Sequence, residues 1–248
     1  DIYSDLGHLS YKLDTSLKSD EFLQTLKWLD LKPELNSETA LRRISATAVW
    51  GGNFQKSGIN PLELSIDKSS LKGEVGIINA ERPALFVNVS GDMINFDNYL
   101  LPMPKDVAAG DFETRMNYRM QKLGFLKGFD ADLRLNLDLG IYESMPFENV
   151  KLIADLKNGV LDIKDLSIAA AANAAFDFKG EIKGFGENFA FENLKYDVET
   201  KDFSSFLSKL DIKAPDVDLK TLKTFSSKGI ATGSPSRFAV KAISKLEN

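Results

Sequence analysis

Asp132-Leu133-Arg134-Leu135-Asn136-Leu137-Asp138-Leu139 decides the fold class, because every odd position is leucine and every even position is charged or an amide. Side chains of a β-strand point alternately to opposite faces, so a period of two writes one apolar face and one wet face. The same alternation appears at Leu62, Leu64 and Ile66, at Val75 and Ile77, and at Leu85, Val87 and Val89. It returns at Val150, Leu152, Ala154 and Leu156, at Leu161 and Ile163, at Leu166 and Ile168, and at Phe176 and Phe178 leading to Ile182. Lys157-Asn158-Gly159 predicts a tight hairpin between two of these runs, since Asn-Gly supplies the positive φ values of a primed turn. Asn60-Pro61, Glu81-Arg82-Pro83 and Met145-Pro146 predict breaks between others. The pattern predicts a mainly β, mostly antiparallel protein with a few short helices.

Two segments have helical spacing instead. Ser19 can cap a helix near 20–29 with Asp20 and Glu21 in its first turn, followed by Phe22, Leu26 and Leu29 before Pro33. Asp202 precedes Phe203, Phe206, Leu207 and Leu210 in a second helix near 203–210, which Pro215 closes, and Phe112 to Leu126 carries a third helical pattern through Met116, Met120 and Leu123. The first two helices repeat each other. Phe22 and Phe203, Leu26 and Leu207, Leu29 and Leu210, Asp30 and Asp211, Leu41 and Leu222, Ile44 and Phe225, Val49 and Ile230, and Gly52 and Gly233 all stand 181 residues apart. The expected organisation is a β-rich unit over 1–185 and the start of a second, truncated copy over 186–248, each helix packing its Phe-Leu-Leu stripe on the end of a sheet.

The composition narrows the function. Of the 248 residues, 43% are hydrophobic, enough for a sizeable core, and 36 acidic against 31 basic side chains give a net charge of −5 with no basic block to grip a phosphate backbone. Nucleic acid is not an expected partner. Ile168 to Phe176 is the longest mainly apolar run and falls short of the ~18 to 20 residues that span a bilayer. The chain opens on Asp1-Ile2-Tyr3-Ser4 without a signal peptide, so it reads as a piece of something longer. With no cysteine and one histidine, His8, there are no disulfides, thiolate sites or imidazole clusters, and His8 reads as a surface loop or strand-end residue. Asp130 and Asp132 share a strand face, but Arg134, Asn136 and Asp138 continue that row as a solvated surface. Gly180, Gly184 and Gly186 read as strand-end turns without a phosphate-binding motif. No catalytic residue, metal site or cofactor is expected.

Longer motifs occur in a fixed order. Ala40-Leu41-Arg42-Arg43-Ile44 through Val49 precedes Leu62-Glu63-Leu64-Ser65-Ile66-Asp67-Lys68-Ser69-Ser70-Leu71-Lys72-Gly73. Arg82-Pro83-Ala84-Leu85 and Ile94-Asn95-Phe96-Asp97-Asn98-Tyr99-Leu100 come next, and Phe147-Glu148-Asn149-Val150, Gly159-Val160-Leu161 and Lys179-Gly180 follow. This order resembles the C-terminal repeat region of the AsmA-like proteins of the bacterial envelope, which are related to the TamB group, over nearly the whole chain. Trp50-Gly51-Gly52-Asn53 departs from the Gly-Thr-Pro-like turn common there, Ala169 to Ala175 replaces a stretch usually richer in Gly, and the family's N-terminal membrane anchor is missing. The resemblance implies an extended, curved, mostly antiparallel sheet of the AsmA-like repeat type, in a periplasmic protein anchored in the full-length form to the inner membrane, with a role in outer-membrane assembly and lipid homeostasis.

A continuously apolar sheet face must be covered. It can close on itself as a sandwich or barrel, pair with another chain, or hold apolar ligands in a groove. The expected function is a non-enzymatic one, shielding or conducting the acyl chains of phospholipid or another lipid. The groove candidates are Leu133, Leu135, Leu137, Leu139, Val150, Leu152, Ala154, Leu156, Phe176 and Phe178. The alternative is a structural or chaperone-like module that binds unfolded outer-membrane protein segments through an edge strand or apolar groove.

Overall fold

A computed structural model describes residues 2–5, 8–209 and 223–247. Thirteen strands form one sheet in the order of the sequence. They are β1 (Ile2–Asp5), β2 (His8–Ser19), β3 (Ile44–Gly52), β4 (Lys56–Ile66), β5 (Ser69–Ile78), β6 (Ala84–Asn95), β7 (Asp130–Tyr142), β8 (Met145–Lys157), β9 (Val160–Ala171), β10 (Ala174–Lys183), β11 (Ala190–Thr200), β12 (Thr224–Ser234) and β13 (Arg237–Glu247). Neighbours are antiparallel except β6 and β7, which run parallel. A parallel pair needs a crossover that returns along the strands, and residues 96–129 supply it with helices α2 (Phe96–Tyr99), α3 (Lys105–Ala108) and α4 (Phe112–Lys122) and a 3-10 segment, Leu123–Gly128. Helix α1 (Phe22–Trp28) joins β2 to β3, and α5 (Phe203–Lys209) follows β11.

The cross-strand register carries the period of two across the whole sheet. Leu17, Ala46, Leu64, Leu71, Gly91, Leu137, Val150, Ile168, Phe176 and Val198 are successive neighbours on β2 through β11. One residue along, the corresponding row reads Ser16, Thr47, Glu63, Lys72, Ser90, Asn136, Lys151, Ser167, Asp177 and Asp197. One face of the sheet is therefore apolar over ten strands and the other is polar, because a slip of a single residue at any pair would exchange the two.

Three local expectations are corrected. Asn60-Pro61 does not break the chain but lies within β4, where the register shifts between Ile59 and Leu62, and its peptide bond is cis. A proline fits there because a bulge leaves residues outside the hydrogen-bond ladder. Gly180 lies within β10, not at a strand end, at φ 145°, beside the β11 irregularity at Asn193. The turn into β8 is Glu143-Ser144, so Met145-Pro146 opens a strand. The Asn158-Gly159 hairpin forms with φ 51° and 75°, as a primed turn requires. Gly73, opposite the β4 bulge, has φ 155°, and a Cβ there would lie 2.9 Å from the Val89 Cα and closer still to the Asn88 carbonyl. These bulges sharpen the twist and curl the sheet.

The offset of 181 recurs in the geometry. Ser19 pairs with Ile44 and Thr200 with Phe225, and the Phe22 amide donates to the Arg42 carbonyl as the Phe203 amide does to that of Lys223. Asp202 caps α5 through the Ser205 amide at 2.9 Å, but Ser19, expected to cap α1, ends β2 and accepts only from the Glu21 amide, so α1 starts at Phe22 with Asp20 and Glu21 ahead of its first turn and no side-chain cap. The two helices differ in burial. Phe206 and Leu207 of α5 are buried against Ala172, Ala174 and Phe176, whereas α1 buries no residue and Leu29 is exposed. Helix α5 packs on Ala172, on Ala174 and Phe176 of β10 and on Val198 of β11, whereas on the corresponding side of β2 stands the four-residue β1. Leu210, Asp211, Pro215 and Leu222 lie outside the described residues.

Gly73→Ala should lower the unfolding free energy by about 2 kcal/mol or more, since alanine must adopt a strained φ and displace the β6 backbone. Gly128→Ala, where a Cβ meets nothing within 4 Å, should change it by less than about 0.5 kcal/mol. Urea titrations of both variants check the pair.

Candidate functional site

A cavity of about 1150 Å³ is lined by residues of seven successive strands, from Tyr11 on β2 to Leu156 on β8. Seven flat strands would span about 29 Å at the usual spacing of about 4.8 Å, so one cavity can touch them all only because the sheet curls around it. Its lining combines the apolar Trp50, Ile59, Val75, Ile77 and Leu85 with the charged Glu74, Asp132 and Asp155. Among the described residues none of the 96–129 crossover lines it.

The apolar face is covered unevenly. Over β6 to β10 the crossover lies on it, with Met120, Leu123 and Leu126 packing on Leu85, Leu133, Leu161 and Ile182 around buried Ala131, Leu156 and Phe185. Helix α5 covers Ala174, Phe176 and Val198, with Phe203 stacked on Phe225 at 4.6 Å between ring centres. Neither of these clusters includes a residue of β2 to β5, where Leu13, Trp50 and Ile77 remain 55%, 40% and 42% exposed.

The groove candidates from the sequence lie mainly under the covered half. Leu133 pairs with Ala154, Leu135 with Leu152 and Leu137 with Val150, while Leu156 pairs with Ala131 and Leu139 with Glu148. Phe176 and Phe178 extend the surface through Ile168 and Leu166. Leu137, Ala154 and Leu156 are 2%, 0% and 1% exposed. Of the ten, Leu156 alone also lines the large cavity. The sequence assigned no site role to Trp50, Ile59, Val75, Ile77 or Leu85. The Gly51-Gly52 that follows Trp50 is the one signal that marks this end of β3 as unusual.

Carboxylates fasten the turns at the ends of the strands. Asp67, in the two-residue turn between β4 and β5, accepts from the amides of Leu41, Arg42 and Arg43 at 2.9, 2.9 and 3.1 Å and from the Tyr99 hydroxyl at 2.9 Å. Asp97 accepts from the Glu143 and Ser144 amides, and Asp130 from Arg82 Nε at 2.5 Å and the Asn158 amide at 3.0 Å. The hydrogen bond from Arg82, then that from Asn158, hold the Asp130 carboxyl below its usual range. Asp67, Arg82, Asp97 and Tyr99 are thus clasps between distant segments. The sequence row Asp130 to Asp138 divides accordingly, with Asp130 tied to Arg82 and Asp132 to Arg134. His8 opens β2, and its side chain lies outside the described residues.

Burial pushes the Tyr99 phenol up to about 12, and its hydrogen bond to Asp67 and that carboxylate's charge add to the effect. The folded value lies above the unfolded one, so this contribution to stability is complete below pH 10 and is lost as pH rises toward 12. Tyr99→Phe should cost about 1 kcal/mol at pH 7, and the gap to wild type should close between pH 10 and 12 in denaturant titrations.

Among the described residues no group of three or more His, Asp or Glu side chains is placed to hold a metal ion, and no helix is long and apolar enough to cross a membrane. Compared with known proteins, the chain matches no family model, no curated protein and no solved structure.

Proposed function

We propose that this chain shields or conducts the acyl chains of phospholipid or a similar lipid along the uncovered half of its apolar face, without catalysing a reaction. The observation that carries this reading is the large cavity ringed by β2 to β8 together with the exposed Leu13, Trp50 and Ile77 on the same sheet. Exposed apolar surface of this extent mostly marks a binding site. The ordered motifs that resemble the AsmA-like proteins support the same reading. They extend it to a periplasmic location, attachment to the inner membrane in the full-length protein, and a part in outer-membrane assembly.

A second reading rests on β13. Every residue of Arg237–Glu247 is exposed, and among the described strands β12 alone pairs with it, so its outer edge can add an extended segment. In this reading the chain is a chaperone-like module for unfolded outer-membrane protein segments.

Native mass spectrometry of the protein purified without detergent separates the two. Wild type should carry phospholipid. Ile77→Asp, at a half-exposed position, should keep a cooperative melting transition and lose at least tenfold of the bound lipid. Leu137→Asp should lose cooperative unfolding, because an unpaired buried charge costs several kcal/mol, comparable with the stability of a domain. A wild-type protein that neither carries phospholipid nor takes it up from vesicles, yet binds an unfolded outer-membrane protein strand, would overturn the lipid reading in favour of the second.

A further inference from the structure

A second cavity, of about 420 Å³, sits where the segment ahead of β3 and the β4–β5 turn meet β5, β6, β7 and α2, and its chemistry differs from that of the large one. Its apolar side includes Met93 and Ile141. Met93 neighbours Leu139 and Asn95 neighbours Ile141 in the register that places Gly91 beside Leu137, so both continue the apolar face of the sheet. Its polar side brings Arg42, Arg43 and Lys68 together against a single carboxylate, Asp67, in a chain whose net charge is −5.

The lone carboxylate is already engaged. Three backbone amides and the Tyr99 hydroxyl donate to its two oxygens, so it is saturated as an acceptor. Arg42 is paired with Glu21 at 3.0 Å. Among the described residues Arg43 and Lys68 have neither an ion-pair partner nor a side-chain hydrogen bond. Asn98 lines the same cavity and its amide is likewise without a partner among them. Two uncompensated cations and a side-chain amide therefore face one concave space with an apolar floor.

We propose that this cavity binds a phosphate-bearing anion as the head of an acyl-chain lipid, with Arg43 and Lys68 on the phosphate and the chain leaving along Met93 and Ile141. Arg and Lys are the side chains that take phosphate, and the cavity supplies more donors than the two oxygens of a carboxylate can use. The site deepens the lipid-holding reading and rests on it, by giving the apolar face an end that recognises charge.

Isothermal titration of the full chain tests it with three probes at concentrations below micelle formation: dihexanoyl phosphatidic acid, dihexanoylglycerol and inorganic phosphate. Wild type should bind phosphatidic acid at least tenfold more tightly than dihexanoylglycerol, and should bind inorganic phosphate weakly or not at all. The double variant Arg43→Ala/Lys68→Ala removes two unpaired side chains and should melt as wild type does. It should lose that tenfold preference while keeping its affinity for dihexanoylglycerol. Equal binding of both lipids by wild type and variant would overturn the headgroup site and leave the trough reading standing. Binding of inorganic phosphate as tight as that of phosphatidic acid, with no binding of dihexanoylglycerol, would make the source a free anion and overturn both the lipid assignment and the trough.

Discussion

A sheet that sends all its apolar side chains to one side has a covering problem that grows with every strand. Here the register keeps Leu17, Leu64, Leu137, Val150, Ile168 and Phe176 in one row over ten strands, while Glu63, Lys72, Asn136 and Lys151 stand in the polar row beside them. The chain offers short helices to cover that face. Two ways of hiding it follow, and both are used. The single parallel step, β6 to β7, sends the 96–129 crossover back over the sheet, where Met120, Leu123 and Leu126 form a conventional core with Ala131 and Leu156. The bulge of β4, which shifts its register with both β3 and β5, helps curl the remainder around a cavity.

Curling requires that the strand ends be held in place, and that is the work of the acidic turns. Asp67 ties the β4–β5 turn to the backbone ahead of β3 and, through Tyr99, to α2. Asp97 ties α2 to the β7–β8 turn, and Asp130 ties the start of β7 both to Arg82 before β6 and to the β8–β9 turn. The exposed ion pairs on the polar face, such as Lys151 with Asp165 and Lys228 with Asp197, add little by comparison, since solvent screens them. The clasps matter because each fixes backbone donors that no strand partner reaches.

The strand periodicity was legible because it is purely local: Leu133 to Leu139 says which way each side chain points whatever lies above it. The Asn158-Gly159 turn and the Asp202 cap of α5 were legible for the same reason. Asn60-Pro61 and Gly180 were misread as punctuation, since a bulge and a turn use the same residues and differ only in whether the neighbouring strand continues. The site was harder to place. Alternation is most regular on β7 and β8, which drew the groove candidates there, yet regular leucine is equally what a covered core needs, and Leu137 and Leu156 are buried by the crossover's half of the sheet. The open half is read from Trp50, Val75 and Ile77, whose significance depends on the helix-packed clusters stopping short of β2 to β5, a long-range fact with no local signature.

The central claim is that the curled half of the apolar face contacts lipid directly, and site-specific photo-crosslinking tests it. A benzophenone side chain at Val75 lines the cavity, whereas one at Lys72 stands in the exposed polar row of the same strand. With radiolabelled phospholipid vesicles and illumination, Val75 should give a labelled adduct and Lys72 none. Equal labelling at both positions, or none at Val75 in a protein that melts cooperatively, would contradict it.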